Sequence, residues 1–144
     1  MFKEQFQNVL AEFGESVKLP LALDDDGSAT FTVDEEIIIN LQYLDESDSI
    51  LAFAPVGGFD ATEPDAGEKA LALLRLNDLG GATEGFTLAL DEDADLVLAM
   101  DRRSALEIAA VDSLAAWMEA LVDAVRAVRA HFAESFPVDD EGRA

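Results

Sequence analysis

Residues 37–44 have the sequence Ile-Ile-Ile-Asn-Leu-Gln-Tyr-Leu, and this stretch decides the fold class. Side chains alternate between the two faces of a strand. One face would therefore carry Ile37, Ile39, Leu41 and Tyr43. The opposite face would carry Ile38, Asn40, Gln42 and Leu44. The pattern predicts a strand with apolar side chains on both faces, one of them in the core of a sheet.

Short acidic turns connect this strand to two neighbours. Asp34-Glu35-Glu36 links it to residues 30–33, which are β-branched and aromatic, and residues 45–49 link it to a strand over 50–54. Such short connections join antiparallel strands. Further upstream, alternation at Leu19, Leu21 and Leu23 indicates more extended chain before a turn at Asp24–Gly27. We therefore predict an antiparallel meander.

Two helices flank the meander. Residues 2–13 place apolar groups on one helical face, and Gly14 is the expected end of that helix. The second helix is predicted from Asp65, with Glu68 as its capping partner, to about Asp78 before Gly80-Gly81. Its apolar residues cover more than one side, which favours burial in the core and against a partner. They are Leu71, Leu73, Leu74 and Leu76.

The last third predicts a hairpin and a long helix. Strands over 86–90 and 96–100 flank a turn at Asp91–Asp95, and residues 101–109 are expected to be extended. From Asp112 to Phe136 an apolar stripe steps by three and four: Val111, Leu114, Met118, Leu121, Val125, Val128 and Phe132. This stripe favours core packing over a coiled coil.

The predicted element order is α-β-β-β-α-β-β-α. It corresponds to an α+β fold in which helices pack against a twisted antiparallel sheet. Residues 1–137 would form a single domain, and residues 138–144 a polar tail.

The composition narrows the classes of partner. Nine Lys and Arg against 31 Asp and Glu give a net charge of −22, while half of the residues are hydrophobic. Such a chain folds, and its acidic surface repels phosphate backbones and anionic lipids, so neither nucleic acid nor membrane is expected as a partner. The absence of cysteine and the polar start at Met1–Phe6 favour a cytoplasmic protein.

The sequence contains no complete catalytic or metal-binding motif. In calcium-loop register, Asp24-Asp25-Asp26-Gly27 would put Ala22 and Val33 at ligand positions, and neither side chain can bind a cation. Asp91, Asp93 and Asp95 alternate well, but Leu96 replaces the required glycine. The single histidine, His131, has no partner pattern. We expect no cofactor, no metal, no catalytic residues and no enzymatic activity.

A pattern near the middle of the chain resembles class I type III secretion chaperones of the Tir-chaperone (CesT) type. Residues 73–77 read Leu-Leu-Arg-Leu-Asn, followed by Gly80-Gly81 and by Gly-Phe-Thr-Leu-Ala-Leu-Asp at 85–91. The turn, apolar strand, extended stretch and long terminal helix follow in the family's order. Leu76 departs from the family, many members of which have a small residue there.

The resemblance implies a homodimeric, non-catalytic chaperone that binds the extended N-terminal segment of a secreted effector and keeps it competent for secretion. Grooves between the first helix and the meander would take the effector's apolar side chains, partly by strand addition. The partner-binding residues would be Phe2, Phe6, Leu21, Phe31, Val33, Ile38 and Leu44. The dimer interface would involve Leu71, Leu74, Phe86 and Leu88.

Two other functions remain open from the sequence. An acidic regulatory adaptor, or an inhibitor that mimics DNA, would use its carboxylates as the recognition signal. A metal-dependent enzyme would depend on acids such as Asp91 or Asp93.

Overall fold

The computed structural model describes residues 2–77 and 83–136. Along the chain these form α1 (Phe2–Val17), β1 (Ser28–Val33), β2 (Ile37–Leu44), β3 (Ser49–Gly58), α2 (Ala66–Leu76), β4 (Thr87–Asp91), β5 (Leu96–Ser104) and α3 (Val111–Ser135). The predicted α+β class and element order are confirmed.

The five strands form one antiparallel sheet in the order β1-β2-β3-β5-β4. β1, β2 and β3 are the predicted meander, joined by short turns. β5 pairs with β3, and β4 pairs with β5 on the far side. The two edges of the sheet are therefore β1 and β4, which lie far apart in both sequence and space.

Helices α1 and α3 cover one face of the sheet. The ring of Phe6 lies 6.1 Å from Tyr43, and that of Phe13 lies 6.0 Å from Phe31. The stripe of α3 is buried at five of its seven positions: Leu114, Met118, Leu121, Val125 and Val128. All four residues expected on the inner face of β2 are buried too. The alternation in residues 37–44 thus identifies the core face correctly.

Polar contacts from α3 fix its position on the sheet. The indole Nε1 of Trp117 donates to the carboxylate of Asp101 at 3.0 Å, and the Arg103 guanidinium lies 5.3 Å from the Trp117 ring. Near the other end, Arg129 Nε donates to the carbonyl of Val56 at 2.8 Å. These contacts hold the long helix at two points along the sheet.

The opposite face of the sheet carries apolar side chains that no helix of the described residues covers. Ile38 is exposed, and Leu51, Phe53, Leu98 and Met100 are half-buried. The second apolar face expected for residues 37–44 is therefore present as a surface.

The prediction that α1 ends at Gly14 is wrong. The helix continues to Val17 and ends through Lys18, whose φ is 61°. Gly14 lies inside the helix because the chain turns back over it. A Cβ at this position would lie 2.4 Å from the carbonyl oxygen of Leu19. The glycine therefore allows a close approach of backbone and does not stop the helix.

Two local predictions are also wrong. The predicted extension over residues 101–109 stops early, because β5 ends at Ser104 and residues 105–108 turn. Asp65 makes no capping hydrogen bond, and its carboxylate instead lies 3.5 Å from Lys69 Nζ. Residues 19–24, predicted as extended chain, belong to no strand. The predictions for Asp78, for Gly80-Gly81 and for a polar tail at 138–144 fall outside the described residues.

Candidate functional site

The edge of the sheet at β4 is closed by a side chain at one residue, Leu88. The amide nitrogen of Asn77 donates to the carbonyl of Leu88 at 2.9 Å, and the Leu88 N–H donates to the Asn77 side-chain oxygen at 2.6 Å. Asn77 follows the last turn of α2, which lies beside β4. The asparagine thus occupies the backbone groups that an added strand would need there.

The edge at β1 is closed only at its beginning. The Ser28 N–H donates to the Asp24 carboxylate, and the Ser28 carbonyl accepts from the Asp24 N–H at 2.8 Å. Both backbone groups of Ser28 therefore point away from β2. Outward and inward residues alternate along an antiparallel strand, so the N–H and carbonyl groups of Thr30 and Thr32 also point outward. They form a free edge suited to strand addition.

A groove of about 590 Å³ runs beside this free edge, between β1, the C-terminal half of α1 and the middle of α3. We call it the edge groove. Its apolar lining consists of Phe13, Val17, Leu19, Phe31, Val33, Ala115, Met118 and Val122. A strand added to β1 would direct every second side chain into this space, because side chains alternate across a sheet. The groove thus combines backbone pairing groups with an apolar floor.

Charged residues line the mouth of the edge groove. Arg126 forms an ion pair with the carboxylate of Asp34 and lies 3.8 Å from that of Glu36. Glu119 and Asp123 project from α3 and are exposed. The groove therefore carries an internally paired arginine at one end and two acids along its helical wall.

A second apolar surface lies at α2 and β4. A depression of about 300 Å³ is bounded by Leu73, Leu74 and Leu88, with Leu90 at its rim. Leu74 is 69% exposed and Leu71 is 47% exposed. Large apolar side chains this exposed on neighbouring turns of a helix are typical of an interface. We call this region the α2–β4 surface.

The residues predicted to bind a partner divide into three places. Phe31 and Val33 line the edge groove. Ile38 and Leu44 lie on the opposite, uncovered face of the sheet, so they belong to a different surface. Phe2 and Leu21 pack against or within the core, and Phe6 is only 1% exposed, which leaves almost no surface for a partner. Their roles in binding stay predictions.

The predicted dimer residues lie close together. Leu71 and Leu74 are on the exposed side of α2, while Phe86 and Leu88 are buried within the chain at the start of β4. The first pair therefore offers most of the side-chain surface to a second copy, and Leu88 contributes only to the lining of the depression beside it. The dimer interface also stays a prediction.

Several functional candidates escaped the sequence reasoning. Phe13 belongs to the aromatic stripe of α1, for which partner contact is an open alternative, but the sequence does not single it out. Met118 and Val122 are contributed by α3, some 85 residues after β1. Thr30 and Thr32 are candidates because of their outward N–H and carbonyl groups, and a pattern of side chains in the sequence does not indicate which backbone groups are free. Asn77 carried a usable signal, since it ends the Leu-Leu-x-x-Asn motif quoted above.

Within residues 2–77 and 83–136 no cluster of three or more His, Asp or Glu side chains could hold a metal ion. In the same residues, no helix combines the length and the apolar character needed to cross a bilayer.

The Tir chaperone protein (CesT) family matches residues 8–129. The chain belongs to this family. The match includes β1, Asn77 and all of α3 up to Arg129, and the resemblance based on residues 73–91 is confirmed. No curated protein sequence matches the chain.

Solved structures of chaperone complexes have the same fold. The HopA1–SchA chaperone–effector complex contains a chain with 20% identity and a TM-score of 0.73, over 88% of this chain and 94% of the other. The ExsC–ExsE complex gives 22% identity, a TM-score of 0.69, and 88% and 92% coverage. The complex of SycH, a type III secretion chaperone of Yersinia pestis, with a stable fragment of YscM2 gives 22% identity and a TM-score of 0.62. The match covers 85% of this chain and 97% of the other.

Proposed function

We propose that this CesT-family protein is a non-catalytic chaperone that binds an extended, N-terminal segment of a secreted effector in the edge groove. The observation that carries the proposal is the free backbone edge at Thr30 and Thr32 beside an apolar groove. The complexes of the structurally similar chaperones support the class of partner.

Binding would begin with the backbone. A segment added to β1 forms hydrogen bonds to the outward N–H and carbonyl groups of Thr30 and Thr32, which supply affinity without requiring a particular sequence. Beyond the closed start at Ser28, residues 30–33 of β1 remain, so the free edge is roughly 13 Å long. A short extended stretch of an unfolded chain matches this length, whereas a folded domain does not present its backbone in this way.

The apolar floor then selects side chains. Alternate residues of the added segment would lie against Val17, Leu19 and Val33, the groove's more exposed apolar side chains. Each apolar side chain removed from water contributes about 1.5–3 kcal/mol before the cost of ordering the segment. A segment of alternating apolar residues is therefore favoured. Holding such a segment needs surface and no reacting groups, which agrees with a non-catalytic role. The cytoplasmic location is part of the proposal.

The α2–β4 surface would join two copies of the chain. Leu71 and Leu74 would pack against their counterparts across a two-fold axis. Because Asn77 already occupies the Leu88 backbone, the two copies would meet mainly through side chains and not through a continuous sheet. The edge grooves, at the far side of each sheet, would stay open in the dimer.

A proline at position 32 tests the strand-addition mode. Thr32→Pro removes an outward N–H while leaving the inward bonds of β1 to β2 intact, a position at which edge strands accept proline. The matched control is Thr32→Val, which keeps the N–H and the β-branched shape. Both variants should give the wild-type circular dichroism spectrum and a melting temperature within a few degrees of wild type.

Affinity capture from the native lysate then compares the proteins that the wild type and each variant retain. A secreted protein should be retained by the wild type and by Thr32→Val, should be lost with Thr32→Pro, and should be held through a protease-protected N-terminal fragment. If folded Thr32→Pro retains the same fragment equally well, the segment does not pair with β1 and the proposal fails.

A further inference from the structure

We propose that the edge groove selects extended segments that place a lysine or arginine side chain against Glu119 and Asp123. The inference rests on the proposed function and adds the charge of the partner to it. Backbone pairing and apolar contacts in the edge groove do not distinguish a basic segment from an acidic one.

The only basic side chain lining the described groove is already neutralised. Arg126 is paired with Asp34 and lies near Glu36, so its charge is compensated from the β1–β2 turn. An acidic residue of a partner would have to displace these two carboxylates to gain an ion pair. The arginine therefore gives the groove little attraction for anions.

The acids of the helical wall are in the opposite situation. Glu119 and Asp123 are four residues apart on α3, so they project from the same side of the helix. Neither forms an ion pair within 4.0 Å among residues 2–77 and 83–136. Two neighbouring carboxylates at the mouth of one groove repel each other, and a cation placed between them would relieve that repulsion.

The floor below these acids suits a long basic side chain. Met118 and Val122 are buried apolar residues next to Glu119 and Asp123 on the same helix. The methylene stem of lysine or arginine can cover such a floor while its charged head reaches the carboxylates at the rim. A glutamate at the same position of the partner would place its charge against two like charges.

The other end of the β1 edge adds to this preference. Asp24, Asp25 and Asp26 precede β1, are exposed, and form no ion pair among the described residues. The path of an added strand therefore passes two groups of uncompensated acids. The structure thus favours a segment that alternates apolar residues and carries basic residues, in keeping with a chain of net charge −22.

Selection from a displayed library of random twelve-residue peptides tests the inference without a known effector. The bait is the full chain, as wild type, as Glu119→Gln/Asp123→Asn, and as the control Glu92→Gln/Asp93→Asn. The control changes the net charge equally but lies in the β4–β5 turn, at the other edge of the sheet. Thr32→Pro serves as a fourth bait for the groove itself.

Wild type and control should enrich peptides with alternating apolar residues and a surplus of lysine and arginine. The groove double variant should lose the basic surplus and bind a selected basic peptide about threefold to tenfold more weakly, as expected for one or two exposed ion pairs. Its binding should also respond less to added salt. If wild type, control and groove double variant all enrich alternating apolar peptides without a surplus of lysine and arginine, the inference is overturned but the proposed function stands. Equal enrichment by Thr32→Pro, or enrichment by none of the baits, would count against the proposed function itself.

Discussion

The side-chain amide of Asn77 makes both hydrogen bonds of a strand partner with the backbone of Leu88, at 2.9 and 2.6 Å. One residue after α2 therefore closes the β4 edge at Leu88 and ties the helix to the sheet. The β1 edge differs, because the described contacts close it only at Ser28, and the outward groups of Thr30 and Thr32 lie beside the larger edge groove. The asparagine thus helps to decide where a partner strand can bind.

Asn77→Ala should destabilise the chain by about 1–3 kcal/mol, because it leaves the N–H and carbonyl of Leu88 without partners. Urea unfolding monitored by circular dichroism measures the change. Asn8→Ala is the control, since Asn8 is exposed on α1 and its loss should change stability by at most about 0.5 kcal/mol. Equal stability of the two variants would show that water replaces Asn77 at this edge.

Leu74→Asp should convert a dimer into a monomer. Burying an aspartate against a leucine surface costs at least about 2 kcal/mol, which weakens association roughly 30-fold or more. Leu106→Asp is the matched control, because Leu106 is also 69% exposed but lies in the turn after β5. Light scattering on a sizing column measures the mass. A dimeric Leu74→Asp, or a monomeric wild type, would contradict the α2–β4 interface.

Gly14→Ala separates helix propensity from packing. Alanine in place of glycine inside a helix normally stabilises by about 0.5–1 kcal/mol. At Gly14 the added Cβ would meet the Leu19 carbonyl at 2.4 Å, so we expect a lower melting temperature. Gly67→Ala is the control, since nothing lies within 4 Å of a Cβ in that part of α2, and it should raise the melting temperature. A rise for both variants would mean that residues 18–21 move aside easily.

Tyr43 should make stability depend on pH in the alkaline range. Burial, together with the hydrogen bond to Asp48 and the carboxylates of Asp48 and Asp45, raises the pKa of Tyr43 to about 12. The unfolded chain titrates near 10, so this contribution is complete below pH 10 and is lost as the pH rises to 12. Tyr43 is the only tyrosine, and its absorbance near 295 nm reports its titration alone.

Asp48→Asn is the companion variant for this titration. Asparagine can still accept the hydrogen bond and tolerates the positive φ of 46° at this position, but it lacks the negative charge. The pKa of Tyr43 should fall yet stay above 10, because burial is the larger cause. A Tyr43 that titrates at 10 in the folded wild type would contradict the buried position of its ring.

Hydrophobic periodicity predicted the helices and strands, because each of these elements is determined largely by residues that are close in sequence. The alternation in residues 37–44 and the stripe of α3 report a single buried face, and both were read correctly. Alternation alone does not place a segment in a sheet: Leu19, Leu21 and Leu23 alternate in chain that belongs to no strand, and Leu21 packs beside Gly14. Gly14 itself shows that a glycine required by packing resembles a glycine that ends a helix.

The candidate site was less accessible to sequence reasoning for a different reason. The edge groove combines Phe13, Phe31 and Met118, which are brought together only by the strand order β1-β2-β3-β5-β4 and the crossing of α3 over the sheet. Phe6 was expected at the binding surface because it is aromatic and part of the α1 stripe, yet it faces Tyr43 in the core. Periodicity identifies the buried face of a helix. It does not tell which residues of that face lie at the edge of the core, where a partner could contact them.

Amide hydrogen exchange at Thr30 and Thr32, measured by NMR with and without a captured segment, tests the central claim most directly. Both N–H groups should exchange quickly in the free protein and at least tenfold more slowly in the complex, whereas the Ser28 N–H, already bonded to Asp24, should change little. If Thr30 and Thr32 exchange equally fast in a saturated complex, the partner does not add a strand to β1, and the binding site lies elsewhere.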